Sequence, residues 1–225
     1  MVHSGSRNLG LKVAKYYNNV AKELNKKYHS SVNPEQDLAF LPLDTEEAQD
    51  YLVEMDYCLN FAFANRLKMM NKIKQIFIDQ NKKDICFDKV INIHHNYAVL
   101  ENHFGENVMV HRKGATRARE GEIGIIPGSQ GTCSYIVEGL GNPESFNSCS
   151  HGAGRKMGRN DAKRRLNLAD EQKKLNDKGI LHSVRNIDNL DEAPGSYKDI
   201  EVVMDNQKDL VKILVKLEPL GVVKG

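Results

Sequence analysis

The stretch 145–159, SFNSCSHGAGRKMGR, brings together the residue types that a phosphate site needs. His151 sits among small residues, and the glycines that follow it let the backbone approach a ligand closely. Arg155 and Arg159 are four residues apart, so they share one face if a helix begins here, and guanidinium groups pair well with phosphate. Histidine is also among the side chains that form covalent intermediates. The pattern therefore predicts a phosphate-binding loop that carries a nucleophile.

Two common phosphate-binding motifs are absent from the sequence. The glycines are too sparse and wrongly spaced for a P-loop, and no strand followed by Gly-x-Gly-x-x-Gly introduces a dinucleotide-binding fold. On residue types alone, the stretch also fits a glycine-rich turn before a basic, solvated helix. The residue types leave both interpretations open.

Composition bounds the class of protein. The chain has 225 residues, of which 40% are apolar, enough for a substantial core. Its 32 basic and 30 acidic residues give a net charge of +2, so a nucleic-acid site must be a local patch. No secretory segment and no 18-residue apolar run occurs, which predicts a cytoplasmic protein with no membrane partner. The four cysteines form no C-x-x-C pair, which argues against a zinc knuckle.

Helical spacing dominates the first part of the chain. Apolar side chains at spacings of three and four predict a helix over residues 9–27, and a loop with two prolines follows at 30–42. A second helix is predicted from the capping residue Asp44 to about Gln80. Its aromatic and methionine side chains are expected to pack in the core.

The period becomes alternating after residue 89, which is typical of strands. The first predicted strand covers 91–99, with His95 on one face and His94 with Asn96 on the other. The later predicted elements are strands near 106–113, 121–127 and 132–138, a polar helix at 160–176, a loop at 189–199 and a half-buried strand with Val211, Ile213, Val215 and Leu217 on one face. This order does not alternate as in a doubly wound sheet, so the predicted class is α+β, with mixed β-sheets and packed helices in one domain, 1–225.

Six short blocks are spread in order over nearly the whole chain. They are 3-HSGSR-7, 95-HNYA-98, 111-HRKGATR-117, 127-PGSQGT-132, the stretch 145–159 and 219-PLGVVKG-225. Together they resemble the blocks of the RtcB family of RNA ligases, GTP- and manganese-dependent enzymes of tRNA splicing and RNA repair. The resemblance implies an RtcB-like fold, here truncated at the N-terminus.

The resemblance also implies a mechanism and a set of site residues. His151 would attack the α-phosphorus of GTP and carry GMP, which then passes to an RNA 3′-phosphate before a 5′-hydroxyl displaces it. The implied metal ligands for Mn²⁺ are His3 and His95. The implied nucleotide-binding residues are His95, Asn96, Ser129, Ser134, Gly152, Ala153, Gly154, Arg155, Tyr197 and Lys224, and the implied RNA phosphate contacts are Arg7, Lys113 and Arg159.

Two basic clusters favour RNA as a partner, either tRNA halves or broken RNA. Residues 112–119 contain four cations and residues 155–165 contain six. A charged run is usually just a solvated face, but two such clusters together favour a groove for RNA phosphates. Whether an activating protein is also needed stays open.

The chain departs from the family pattern at its start. The family carries an aspartate, a cysteine and a Gly-Asn-His block upstream of the residues that match His3, and this sequence has no counterpart. We therefore expect missing upstream sequence, weak manganese binding and little ligation by this chain alone, since catalytic metal sites usually keep three protein ligands. Three interpretations stay open: a fragment, one half of a split ligase completed by a partner chain, or a non-catalytic remnant that binds RNA or guanine nucleotide. A metal-dependent hydrolase using His94, His95, His103 and Glu101 is an alternative of another class.

Overall fold

The structure is a computed structural model that describes residues 1–80, 85–87 and 90–223. The chain divides into two compact units, Met1–Tyr97 and Ala98–Gly225. Both contain helices, and small antiparallel sheets lie in the second unit, so the predicted α+β class is confirmed. The single catalytic domain over 1–225 stays a prediction.

Within the described residues of the first unit, the α-helices are α1 (Leu9–Lys27) and α2 (Glu46–Gln80), and both sequence predictions are confirmed. They pack through aromatic side chains, because the ring centres of Tyr17 on α1 and Tyr51 on α2 lie 5.1 Å apart and Tyr17 is buried. The Tyr17 hydroxyl donates to Glu54 Oε1 at 2.9 Å, which gives the buried phenol a polar partner. The Asn25 side chain bonds both backbone groups of Phe40 and so ties down the predicted loop.

The middle and the far half of α2 differ from the expected core packing. Phe61, Phe63, Ile76 and Phe77 are all exposed. With 19 residues α1 is about 28 Å long, whereas α2 with 35 residues is about 52 Å long, so α1 can cover only about half of it. Helical spacing predicted the helix correctly. It did not predict that these apolar side chains would stay exposed within the first unit.

The segment before the first strand corrects another prediction. β1 covers Asn96–His103, so residues 91–95 lie outside it, although a strand was expected from residue 91. The Asn92 side chain accepts from Arg66 Nε at 2.6 Å and donates to the Phe63 carbonyl at 3.2 Å. These contacts with α2 hold the segment in place of a strand ladder.

In the part of the second unit that the structure describes, the strands form three small sheets. β1 pairs with β2 (Glu106–Lys113), and β3 (Ala115–Arg117) pairs with β6 (Ser148–Ser150). The third sheet has the order β4 (Ile123–Ile126), β5 (Ser134–Gly139) and β7 (Val211–Leu217), all antiparallel. The sequence predicted β2, β4, β5 and β7, but β3 and β6 are three residues long and show no readable period.

β7 contradicts the expected half-buried strand. Ile136 pairs with Val215 but Val137 pairs with Ile213, so Leu214 is an extra residue in a β-bulge. Because paired residues share a face, Val215 lies on the opposite face from Ile213. The four apolar residues are therefore split between two faces, and all except Val211 are exposed.

The core of the second unit lies on the face of the third sheet that carries Tyr135 and Val137. These side chains pack with Ile200 and Met204 of α5 (Ile200–Asp205). A smaller cluster forms around Leu175 on α4 (Leu168–Asn176).

The helix predicted over 160–176 is two helices, α3 (Arg159–Arg165) and α4. Asn167 separates them, because its side chain accepts from the amides of Ala169 and Asp170 and caps α4. The predicted loop at 189–199 overlaps a 3₁₀ turn at Ile187–Glu192 and contains another at Pro194–Ser196.

Across residues 1–80, 85–87 and 90–223, no helix combines the length and apolar character needed to cross a membrane.

Candidate active site

A backbone carbonyl fixes the ring of His151. Its Nδ1 lies 2.6 Å from the carbonyl oxygen of Gly114. A carbonyl oxygen can only accept a hydrogen bond, so Nδ1 carries the proton in this contact. In the neutral imidazole, the lone pair then lies on Nε2. This is the nitrogen that can act as a nucleophile.

The β3–β6 ladder brings these two residues together. Ala115 pairs with Ser150, so Gly114 and His151 are the next residues beyond that end of the ladder. Gly114 has φ +67, and a Cβ built on it would lie 3.0 Å from His151 Cε1. Glycine is therefore needed here both for the backbone conformation and for space. The sequence did not predict this contact.

The histidine loop is anchored in the core on both sides of His151. Cys149 and Ala153 are buried in the cluster around Tyr135 and Val137. Burial raises the pKa of the Cys149 thiol, and the effect outweighs its hydrogen bond with Thr116, so this sulfur acts as a packed, neutral side chain. The loop between these anchors is therefore held from two ends.

A buried ion pair anchors the chain that enters β6. Arg112 donates from Nη1 and Nη2 to the Glu101 carboxylate at 3.0 and 2.9 Å. The same guanidinium donates to Ser148 Oγ and to the Phe146 carbonyl, both at 2.9 Å. His103 adds a third contact to Glu101 at 2.9 Å. The β1–β2 pair thus holds the segment that leads to His151.

Glu101 is ionised in this setting. Burial alone would raise its pKa, but the hydrogen bonds from Arg112 and His103 prevail and lower the pKa to about 2. A carboxylate occupied in this way is unsuited to bind a metal, so the hydrolase alternative loses its only carboxylate. The sequence offered Glu101 only as a ligand for that alternative and did not predict its ion pair.

The predicted nucleotide loop 127–132 lies against the histidine loop. The Ala153 amide donates to the Pro127 carbonyl at 3.0 Å, and a Cβ on Gly152 would lie 3.0 Å from the same oxygen. Ser134 Oγ accepts from the Gly128 amide at 3.2 Å, which leaves its own proton available to donate. Ser129 is used in its turn, with its Oγ 2.9 Å from Thr132 Oγ1.

Arg155 and Tyr197 form one hydrogen-bonded group with Glu192. The Arg155 guanidinium lies 4.9 Å from the centre of the Tyr197 ring, and its Nη2 is 2.6 Å from Glu192 Oε1. The Tyr197 hydroxyl donates to Glu192 Oε2 at 2.6 Å. Burial, followed by this hydrogen bond, raises the pKa of Tyr197 well above its ordinary value. Glu192 carried no signal in the sequence.

Arg159 also meets acidic side chains. Its Nη1 lies 2.6 Å from Asp191 Oδ2 and 3.2 Å from Glu192 Oε1, and the hydrogen bond with Asp191 raises the pKa of the guanidinium. The remainder of its side chain is largely exposed. Lys113, the other predicted phosphate contact in this unit, is exposed at the end of β2.

The two basic clusters are less positive than the sequence suggested. Arg112 is buried and paired, so it does not belong to an RNA-binding surface. The other ion pairs that these clusters form include Arg117–Glu122, Arg119–Glu101, Arg155–Glu192, Arg159–Asp191, Lys163–Asp188, Arg164–Asp161 and Arg165–Asp161. Acidic residues, most of them outside the two clusters, therefore neutralise much of the positive charge of both.

The first unit brings together the two predicted metal ligands. His3 Nε2 and His95 Nε2 lie 3.2 Å apart. Two nitrogens bound at about 2.1 Å to one ion are roughly 3 to 3.4 Å apart, so the pair fits two positions around a metal. Among the residues that the structure describes, no group of three or more His, Cys, Asp or Glu side chains could hold an ion. The metal site within these ranges is therefore incomplete.

A third imidazole, that of His94, is adjacent to His95 in the sequence but has a different environment. His94 Nδ1 is 3.4 Å from Arg66 Nη2, and burial, followed by the charge of Arg66, lowers the pKa of His94. Asn96 is exposed at the start of β1, and Arg7 is exposed with φ 51. The predicted nucleotide contact Lys224 lies outside the described residues.

Fold and geometry together define an α+β protein that holds a histidine, oriented by a backbone carbonyl, in a glycine-rich loop beside cationic side chains. The sequence model described as tRNA-splicing ligase RtcB matches residues 1–225, and the chain belongs to this family.

Individual relatives support the assignment over the full chain. The chain is 40% identical over 231 residues to the RNA-splicing ligase RtcB of Escherichia coli (strain K12), covering 100% of this chain and 55% of that protein. It is 34% identical over 252 residues to the tRNA-splicing ligase RtcB of Nanoarchaeum equitans, covering 100% of this chain and 52% of that protein. The chain thus spans about half the length of these relatives.

Proposed function

We propose that this chain carries the nucleotidyl-transfer site of an RNA ligase that uses GTP and Mn²⁺. The substrates are RNA ends with a 3′-phosphate, or a 2′,3′-cyclic phosphate, and a 5′-hydroxyl, as in tRNA halves or broken RNA. The observation that carries the proposal is the 2.6 Å contact between His151 Nδ1 and the Gly114 carbonyl, because it directs the lone pair to Nε2. A cytoplasmic location stays a prediction.

His151 acts as the nucleophile of the first step. Its Nε2 forms a bond to the α-phosphorus of GTP while the bond from that phosphorus to pyrophosphate breaks. The imidazole becomes positively charged as this bond forms, and the Gly114 carbonyl dipole stabilises the charge while it keeps the Nδ1 proton in place. Where the RNA end is a 2′,3′-cyclic phosphate, water first opens it to the 3′-phosphate. An oxygen of the 3′-phosphate then bonds to the phosphorus of GMP while the bond from that phosphorus to Nε2 breaks, and the 5′-hydroxyl finally displaces GMP to join the strands.

Other residues of the second unit bind rather than react. Ser134 and Tyr197 contact the base, and the backbone of Gly152 to Gly154 contacts the phosphates, where glycines allow close approach. Lys113 and the exposed edge of Arg159 contact RNA phosphates. Lys224 is proposed on the family resemblance alone.

Manganese fits two residues of the first unit. His3 and His95 would supply two of its ligands, at the separation that a shared ion requires. When bound, the metal offsets negative charge on phosphate oxygens. Imidazole nitrogen suits several divalent ions, so the choice of manganese rests on the family.

A non-catalytic remnant that binds RNA or guanine nucleotide is the second candidate. The ion pairs of Arg155 and Arg159 favour it, because paired cations stabilise the loop without requiring any chemistry. A fragment of a longer ligase and one half of a split ligase would both retain the reacting histidine. Covalent labelling separates these from a remnant.

The test is incubation of the chain with GTP radiolabelled at the α-phosphate and with Mn²⁺ in large excess, so that a weak metal site is filled. The catalytic proposal expects acid-labile label on the wild-type chain and none on His151→Asn. His111→Asn is the matched control, since His111 is exposed and its Nδ1 also lies near a backbone carbonyl, that of Met109, at 3.0 Å. Absence of label with salt-sensitive binding of RNA would favour the remnant, and label on His151→Asn would contradict the assigned nucleophile.

A further inference from the structure

We propose that Glu192 is a specificity-determining residue of the nucleotide site. It fixes the Tyr197 hydroxyl as a hydrogen-bond acceptor toward the base and so favours a purine with an N–H group at position 1, such as guanine, over adenine. The inference rests on the proposed function, in which Tyr197 faces the base of the nucleotide.

The hydrogen bonds that the Tyr197 hydroxyl makes within the protein determine whether it can donate to a ligand or only accept from it. Its hydroxyl donates to Glu192 Oε2 at 2.6 Å, and a carboxylate can only accept. The phenol oxygen also accepts from Arg155 Nη2 at 3.2 Å. The only proton and one of the two lone pairs are therefore committed within the protein. Toward a ligand, the hydroxyl can offer only its second lone pair.

Positive charge keeps Glu192 in the accepting form. Its Oε1 lies 2.6 Å from Arg155 Nη2 and 3.2 Å from Arg159 Nη1. Two guanidinium groups around one carboxyl strongly favour the carboxylate. The raised pKa of Tyr197 acts in the same direction, because the phenol retains its proton at neutral pH.

The backbone around this group is fixed before any nucleotide arrives. The Glu192 carbonyl accepts from Gln130 Nε2 at 3.0 Å, and the buried Ser196 hydroxyl donates to the Leu190 carbonyl at 2.7 Å. The amide of Gly195 donates to the buried Glu171 carboxylate at 2.8 Å. Groups held in this way do not have to be reorganised on binding, so their polarity can discriminate between ligands.

Guanine and adenine differ at the edge that would face the Tyr197 hydroxyl oxygen. Guanine carries N–H donors at N1 and at its 2-amino group, whereas adenine has an acceptor nitrogen at N1 and no amino group at C2. An acceptor facing an acceptor leaves both without a hydrogen bond, which is costly in a desolvated site. Hypoxanthine keeps the N1–H donor but lacks the 2-amino group, so ITP isolates the interaction at N1.

The experiment measures the dissociation constants of GTP, ITP and ATP, each as its α,β-methylene analogue so that pyrophosphate cannot leave, by equilibrium dialysis with Mn²⁺, using the full 225-residue chain. We expect the wild-type chain to bind GTP and ITP about tenfold or more tightly than ATP. In Glu192→Gln the amide can donate to the phenol oxygen, which releases the hydroxyl proton toward the base. The preference should then fall to about twofold, mainly through tighter ATP binding.

Glu201→Gln is the matched control. Glu201 accepts from the Tyr135 hydroxyl at 2.8 Å in the same unit, so this variant removes an equivalent tyrosine–glutamate pair. It should keep the wild-type preference. Tyr197→Phe provides a second test that does not depend on the stability of Glu192→Gln, because without the hydroxyl the preference should disappear as well.

The outcomes separate the inference from the proposed function. If Glu192→Gln or Tyr197→Phe keeps the preference for GTP and ITP, or if Glu192→Gln weakens all three nucleotides equally, the inference is overturned while nucleotide binding stands. Failure of the wild-type chain to bind any of the three would overturn both.

Discussion

The carbonyl oxygen of Gly114 lies 2.6 Å from Nδ1 of His151, although the two residues are 37 positions apart in the sequence. Their contact is set by the pairing of Ala115 with Ser150 in the short β3–β6 ladder. The orientation of the proposed nucleophile therefore depends on a residue that has no side chain. Its backbone supplies the acceptor, and its missing Cβ supplies the space.

Replacement of Gly114 by alanine should slow the reaction of His151 with GTP, although the histidine itself is unchanged. The new Cβ would lie 3.0 Å from Cε1, and φ +67 is unfavourable for alanine. We expect the rate of histidine labelling by GTP to fall at least about tenfold, which corresponds to about 1.4 kcal/mol. Labelling kinetics, with thermal melting measured in parallel, provide the check.

Gly105→Ala is the matched control for this change. Gly105 has φ +84 in the turn between β1 and β2, and a Cβ there would meet nothing within 4 Å. It carries a similar backbone strain without the contact to His151. Equal labelling rates in Gly105→Ala and Gly114→Ala would show that the contact with the ring has no effect.

The Glu101→Gln variant should destabilise the second unit. The change would leave the buried Arg112 guanidinium without its charged partner, and removal of one member of a buried pair costs about 3 to 5 kcal/mol. Hydrogen exchange of the β2 and β6 amides would report the loss, because Arg112 links these strands. Glu122→Gln removes the more exposed pair with Arg117 and should cost about 1 kcal/mol or less. Similar protection in both variants would contradict this ranking.

Acidic pH should weaken the ion pair between Glu101 and Arg112. The pKa of Glu101 is lowered from its usual 4.5 to about 2, so the ionised form binds protons less readily in the folded than in the unfolded chain. Its contribution is therefore fully present above about pH 4.5 and is lost as the pH falls toward about 2, by roughly 3 kcal/mol in total. Unfolding free energies of the wild type and Glu101→Gln should converge over this interval. A constant difference between the two proteins from pH 5 to pH 2 would contradict the prediction.

Periodic patterns predicted the long elements of the fold well. The spacing of apolar residues predicted α1 with its observed limits and α2 to within two residues, and alternation predicted β2 over residues 106–113. β3 and β6 have three residues each, fewer than two alternations, so no pattern could indicate them. The sequence pattern did not predict the bulge at Leu214 either. One extra residue moves the following side chains to the opposite face of the strand but leaves the composition of the strand unchanged.

The candidate site was predictable in its residue types but not in its pairings. His151 and the glycines beside it stood out because they are adjacent in the sequence. Glu192 did not, because it meets Arg155 across 37 residues, and the sequence contains many acidic residues that could have played this part. The same limit explains Arg112, which was expected on a basic surface but is buried against Glu101. Acidic side chains that are distant in sequence therefore determine which basic side chains can still bind a ligand.

Manganese binding by this chain should be measurable but weak. His3 and His95 offer two neutral nitrogens 3.2 Å apart, whereas catalytic sites usually have three protein ligands. Titration followed by the electron paramagnetic resonance signal of free Mn²⁺ should show binding that His95→Ala abolishes. His94→Ala is the control, because His94 contacts Arg66 instead of His3, and its Nδ1 lies 3.4 Å from that guanidinium. The guanidinium repels a cation and burial disfavours charge, so loss of His94 should leave the titration unchanged. Equal effects of the two variants, or a submicromolar affinity of the wild-type chain, would show that other residues hold the ion.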